Sequence, residues 1–164
     1  MKIDITGDPD LKLNLEKDLP LPFEDNFFDT VIATDVLEHL DNLHEVFDEM
    51  VRVCKGHIII SLPNPVCDSL AYWRSKVYKD NSINRKKYYG KYMKFYGLPF
   101  ERPFDRHKWF FNYEEVLEFM KYQCDKYSLI LKESLLIEDF RSLKSKLIYN
   151  LIKYFCGTKI AVTV

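Results

Sequence analysis

No G-x-G occurs anywhere in these 164 residues; Gly7, Gly56, Gly90, Gly97 and Gly157 stand far apart. Such turns let backbone amides close on a ligand beside a helix amino terminus, so no loop of that kind is expected. The four cysteines, Cys54, Cys67, Cys124 and Cys156, contain no C-x-x-C pair. A zinc site built from them is therefore not expected, and Cys54 and Cys156 fall in apolar segments where they simply pack. Net charge is −1, too small for a bulk electrostatic case for nucleic acid or membrane. No apolar run approaches the roughly 20 residues of a membrane span. Met1 leads straight into Lys2-Ile3-Asp4-Ile5 with no secretory signal pattern. These absences predict a reducing, cytoplasmic setting.

What is present suits one domain with a real core. The chain is 47% hydrophobic and 30% charged, with an aromatic share of 15%. Charge is unevenly spread: residues 1–50 carry 14 acidic and 3 basic side chains, and residues 72–108 carry 11 basic and 3 acidic ones. Such asymmetry predicts surfaces that meet different partners. A single domain over 1–164 is expected, with 66–112 as an acceptor-side or lid insertion.

The apolar patterns alternate between strand and helix. Lys2–Ile5 and the alternating Leu11–Leu15 predict short strands, and Phe28–Thr34 predicts a stronger one. The run Val31-Ile32-Ala33 implies burial on both faces. Asp41 or Asn42 can cap a helix whose apolar face is Leu43, Val46, Phe47, Met50 and Val51, with Gly56 where its stop is expected. His57–Leu62 then reads as a buried strand. Strand, helix and strand with short links predict right-handed parallel crossovers. A helix is expected around 68–79, and another starts at Asn112 with Glu115 completing a capping box. Tyr127–Ile137 reads as strand. Leu143, Leu147, Leu151 and Phe155 mark a helix ended by Gly157, and Lys159–Val164 is a last strand.

Three stretches, in order, carry a resemblance. Leu19-Pro20-Leu21-Pro22-Phe23-Glu24-Asp25-Asn26-Phe27-Phe28-Asp29-Thr30-Val31-Ile32 is similar to an LPF-x-D-x-x-FD-x-V pattern. Asp35-Val36-Leu37-Glu38-His39-Leu40 is similar to E-V-L-E-H-V, and Val51-Arg52-Val53-Cys54-Lys55-Gly56 to R-V-L-K-P-G-G. Together they resemble class I S-adenosylmethionine-dependent methyltransferases of type 11. Asp105–Phe111 looks like a segment found in a subgroup of them. The resemblance implies an α/β fold: a Rossmann-like, doubly wound, mostly parallel sheet of seven strands, with the donor at the strands' carboxyl ends. It also implies that the first strand, its helix and the G-x-G-x-G turn should precede Asp4 by about 20 residues. Met1 leaves no room for them, so an N-terminally truncated domain is expected. The missing strand would sit between the second and fourth.

S-adenosylmethionine is the implied cofactor. Asp4 would accept hydrogen bonds from the ribose hydroxyls. Asn14 and Leu15 would touch the adenine, and Ala33, Thr34 and Asp35 would lie under the sulfonium. Nearby carboxylates suit a cationic donor. His39 or His107 could act as general base towards a hydroxyl acceptor, although a lone histidine more often has a structural role. Alignment of the reactants alone can also suffice. Asp35, Glu38 and His39 share one face if their turn is helical and could hold a divalent metal, with His107 as a further ligand. The plainer reading is a helix start with carboxylates near its positive end, so no metal ligand is assigned. The basic-aromatic stretch Arg85–Tyr96 could neutralise phosphates and stack bases, or form an ordinary solvated face.

The expected function is methyl transfer to an O or N acceptor, small or lipid-like, with donor binding expected to be weak or lost, and the chain then inactive as it stands. The alternatives are a non-catalytic relative that binds partners through 85–108, and a metal-assisted RNA 2′-O-methyltransferase. Nucleic acid is the less favoured partner.

Overall fold

A computed structural model describes residues 1–63, 107–137 and 159–163. Two short strands come first, β1 (Ile3–Asp4) and β2 (Leu11–Lys12), paired in parallel with Asp4 opposite Lys12. Then follow β3 (Phe28–Thr34), a single 3-10 turn (Leu37–His39), helix α1 (Leu43–Val53), strand β4 (Cys54–Pro63), helix α2 (Tyr113–Tyr127), β5 (Glu133–Ile137) and β6 (Lys159–Thr163). Strand order in the larger sheet is β3-β4-β6-β5. β3 and β4 run parallel, whereas β6 is antiparallel to both β4 and β5. The single sheet implied by the resemblance is thus two sheets among the described residues. Strands join only through backbone pairing, and no described strand pairs with both β1 and β3.

The core lies on one face of the larger sheet. Strand residues alternate between faces, so Ile58, Ile60 and Leu62 of β4 point the same way, and all are buried. α1 lays Leu43, Val46, Phe47 and Met50 on that face, at the spacing read from the sequence. α2 adds Val116, Met120 and Cys124 to the same cluster. The expectation that the Val31-Ile32-Ala33 run is buried on both faces is not met. Ala33 is buried in the core, but Ile32 is 62% exposed. Both described helices cover the Ala33 side, which leaves the Ile32 side open among the described residues.

The helix ends explain where sequence patterns held and where they slipped. Asn112 caps α2: its Oδ1 accepts from the Glu115 amide at 2.9 Å, and the Glu115 carboxylate accepts from the Asn112 amide at 2.7 Å. α2 then runs through Tyr127, which the sequence placed in a strand. It stops at Ser128, whose φ of 55° is left-handed. Asn42 precedes α1 without a side-chain cap; its amide instead donates to the Leu15 carbonyl at 2.9 Å. Gly56 is no helix stop, because α1 ends at Val53 and the chain passes directly into β4. Phe28 faces Cys54 and Thr30 faces His57, so β4 carries one extra residue there. A Cβ on Gly56 would fall on the Asp29 carbonyl oxygen. Glycine is needed at this bulge for close approach.

Arg52 fastens the proline-containing loop before β3 to α1. Its guanidinium donates to the carbonyls of Leu21 (3.0 Å) and Phe23 (2.8 Å) and to the carboxylates of Asp25 (2.8 Å) and Glu49 (2.7 Å). Glu49 also accepts from the Leu21 amide at 2.7 Å. The hydrogen bond from Arg52 holds the Glu49 carboxyl below its ordinary value, more than burial raises it. The three-part motif that includes Leu21, Phe23 and Arg52 is therefore a structural clasp.

Gly56→Ala is expected to destabilise the fold by about 1–3 kcal/mol, as overpacking does. An unchanged urea midpoint would count against the close approach. For Glu49 the folded pKa is depressed, so its contribution is present above the unfolded value and disappears as pH falls through the folded one. Acid unfolding should accordingly separate the wild type from Glu49→Gln: the gap between them is widest near neutrality and closes below about pH 4. A gap that stays constant down to low pH would show that Glu49 is not the group responsible.

Candidate functional site

The turn after β2 is tied to the chain that follows β3. The Leu13 amide donates to the Asp4 carbonyl at 3.2 Å, continuing the β1–β2 pairing. Beyond it, Asn14 builds a turn. Its Oδ1 accepts from the Glu16 amide at 3.0 Å, and its carbonyl accepts from the amides of Lys17 (2.9 Å) and Asp18 (2.8 Å). This turn is tied to the chain after β3. Asn42 holds the Leu15 carbonyl, and the Asp41 amide donates to Glu16 Oε1 at 2.9 Å. The Lys108 ammonium bridges the Glu16 and Asp41 carboxylates. The Asp41 amide and then Lys108 draw the Glu16 carboxyl below its ordinary value. Burial pulls the Lys108 amine down, but Asp41 and Glu16 together outweigh it and raise it.

Each expected donor-side residue has a definite place. Asp4 ends β1 and is half-buried. Its Oδ1 accepts from the Thr6 amide at 3.0 Å and the Thr6 hydroxyl at 3.2 Å, which lowers the pKa of the carboxyl. Leu15 packs partly into the core. Ala33 is buried, and Thr34 is exposed at the end of β3. Asp35 follows with φ 53°, a left-handed conformation that a short polar side chain tolerates. Its amide donates to the Ser61 carbonyl at 2.9 Å, and the Ser61 hydroxyl donates to its Oδ1 at 3.1 Å. β4 thereby fixes the reversal of the chain after β3.

Asp35 does not share a face with Glu38 and His39, because only Leu37–His39 forms the 3-10 turn. Its carboxylate meets Ser61, whereas Glu38 turns inward and is completely buried. His107 comes in instead. The Lys108 amide donates to the Glu38 carbonyl at 2.7 Å, and Trp109 Nε1 donates to the Leu40 carbonyl at 2.6 Å. These two bonds strap 107–109 onto the turn. His39 and His107 then meet edge to face, with ring centroids 4.4 Å apart. Glu38 Oε1 lies 3.6 Å from His39 Nε2 and 4.0 Å from His107 Nε2. The two histidines singled out in the sequence are thus neighbours. Leu37, Leu43, His44, Ile60, Leu62, Trp109 and Met120 help to line an apolar cavity of about 170 Å³ between the sheet and α2; His39 and His107 are not among its lining residues.

Sequence reasoning missed Lys108, Trp109 and Ser61. Lys108 was counted within a basic stretch, and its pairing with Glu16 across 92 residues had no local signal. The expected helix at 68–79, the basic-aromatic run 85–96 and the helix over 143–155 lie outside the described residues. So does most of the expected insertion.

Residues 7–60 match the family model of a methyltransferase domain. The fold is similar to an S-adenosylmethionine-dependent methyltransferase of Mesorhizobium loti, with TM-score 0.53 and 10% identity over 98% of this chain and 77% of that one. It is also similar to one from Archaeoglobus fulgidus, with TM-score 0.51 and 16% identity over 98% of this chain and 73% of the other. A Thermotoga maritima structure described as a possible histamine N-methyltransferase is matched at TM-score 0.47 and 17% identity; this chain spans 93% of its own length and 61% of that chain. No curated protein matches the sequence. At these identities the solved structures establish the fold, which is Rossmann-like α/β. The sequence match to a methyltransferase domain covers about a third of the chain and agrees with that fold. The matched stretch contains Asn14, Leu15, Asp35 and His39, whereas Asp4 and His107 fall outside it.

Replacing Lys108 with Met should loosen the junction between the two loops. We expect roughly 1 kcal/mol or less of lost stability, as for partly exposed ion pairs. Hydrogen exchange should speed up at the Asp41 amide; unchanged protection there would mean that the bridge does not hold the loops together.

Proposed function

We propose that this protein is a methyltransferase that takes the methyl of S-adenosylmethionine and passes it to an oxygen or nitrogen of a small or lipid-like acceptor in the cytoplasm. The observation that supports this reading is that Asp4, Asn14–Leu15 and Asp35 each lie at or just beyond the carboxyl end of a parallel strand, with the turn after β2 tied to the chain after β3, in a fold similar to this family's. Ligands of open α/β sheets bind at such ends.

The residues present fit the nucleoside end of the donor. Thr6 engages Asp4 Oδ1, and Oδ2 lies 4.0 Å from Lys2 Nζ at a half-exposed position, so this carboxylate can still accept from a ribose hydroxyl. Leu15 offers apolar surface to adenine. Ala33, Thr34 and Asp35 are assigned to the sulfonium side, where the Asp35 carboxylate favours a positive charge. No described glycine turn meets the amino-acid end, and the sequence contains no G-x-G. Weak donor binding is therefore expected. When bound, the donor supplies an electrophilic methyl group; His39 and His107 are assigned the proton of the acceptor.

Titration calorimetry of the full chain with S-adenosylmethionine tests the donor reading. Binding is expected, and Asp4→Asn should weaken it about tenfold or more, the scale of a hydrogen bond to a charged group. No heat from protein with an intact circular dichroism spectrum would sink this reading. A non-catalytic binding module would then be the better description.

A further inference from the structure

We infer that the apolar cavity between the sheet and α2 is a binding site for a small aromatic amine, with a flat hydrocarbon ring inside and an ammonium group at the mouth. The inference does not rest on donor binding. No residue assigned above to the donor or to the acceptor proton lines this cavity.

Size and lining define the body of the ligand. Protein interiors pack so closely that few voids exceed a water molecule. Here the space is about 170 Å³, and its walls are almost wholly apolar. An engineered apolar cavity of about 150 Å³ takes up benzene, so a six-membered ring with one or two further atoms matches this one. Leu37, Ile60 and Met120 are buried and close its inner end. Trp109 and Phe119 supply aromatic wall. Each meets the His44 imidazole edge to face, with centroids 5.6 Å apart. The Trp109 indole also donates to the Leu40 carbonyl, so the wall is held in place before a ligand arrives.

The mouth defines the head of the ligand. His44 and Glu115 are the titratable residues of the lining, and both are exposed, so they mark the end that opens to solvent. Glu115 is anchored there by the capping box, its Oε2 accepting from the Asn112 amide. A carboxylate accepts several hydrogen bonds, so this one can take a ligand donor as well. An ammonium head satisfies it by charge, and the neighbouring rings of Trp109 and Phe119 also favour a cation. A carboxylate head would meet a like charge. The Lys108 ammonium, beside Trp109 in sequence, is engaged by Glu16 and Asp41 and does not neutralise Glu115.

The test titrates the full chain separately with benzylamine, toluene and benzoate. Unfolding temperature is read on the unaltered chain, and fluorescence on Trp73→Phe, in which Trp109 is the one remaining tryptophan. Toluene and benzylamine should each change the Trp109 emission saturably and raise the unfolding temperature. Benzylamine should bind about tenfold more tightly than toluene, the scale of a hydrogen bond to a charged group, and benzoate most weakly. Glu115→Gln keeps the capping box, which glutamine also forms. It should erase the advantage of benzylamine and leave toluene binding unchanged. Val116→Phe, which fills the cavity from α2, should abolish binding of both. If that variant does not fold, Leu43→Phe fills the cavity from α1 and decides the same point. No response to either toluene or benzylamine would overturn the proposal, as would binding that survives in a folded cavity-filling variant. Benzoate bound as tightly as benzylamine would overturn the choice of head group.

Discussion

Because β3 and β4 run parallel and stay in register from Thr30 to Thr34, the chain leaves both strands at the same end of the sheet. Asp35 is then held against Ser61 by backbone and side chain at once. These two hydrogen bonds fix the direction in which the following turn departs. Glu38 and His39 take their places from it. The ladder depends in turn on one tight contact at its start, where Gly56 lies against the Asp29 carbonyl. A larger residue at the bulge would push the strands apart at one end and tilt the other end, where the functional side chains are.

Helix packing and loop fastening add a second level. α1 and α2 share the Ile58–Ile60–Leu62 face, which brings the segment before α2 back across the turn after β3. Lys108 and Trp109 then complete the strap. Local hydrophobic patterning thus builds each helix, and long-range polar contacts set the position of the site between them. The polar contacts are few, but several involve charged partners, which makes each stronger than a neutral hydrogen bond.

This division explains what could be read from the sequence. β3 appears at the bounds its apolar run gave, and the Asn112–Glu115 capping box is formed as expected. Both signals are local. Gly56 misled because a glycine after a helical run has two uses, and only the partner strand distinguishes a stop from a bulge. Ile32 misled because a continuous apolar run implies cover on two faces, while cover is supplied by other elements. Tyr127 misled because β-prone residues can finish a helix when the residue after them adopts a left-handed turn. At the site, Asp35, Glu38 and His39 were visible as a group. Their helical spacing was not, since a left-handed residue breaks it. The pairing of His39 with His107 needed the fold.

Glu38 is completely buried, and a carboxylate taken out of water costs several kcal/mol unless polar neighbours compensate it. The fold brings two such neighbours from distant parts of the chain: His39 Nε2 lies 3.6 Å and His107 Nε2 4.0 Å from Glu38 Oε1. His107 is there because the Lys108 amide and the Trp109 indole hold its segment against the Glu38 and Leu40 carbonyls. The strap that leads into α2 therefore also decides what faces the Glu38 carboxylate, which ties the electrostatics of the turn after β3 to the packing of the helix that follows the strap.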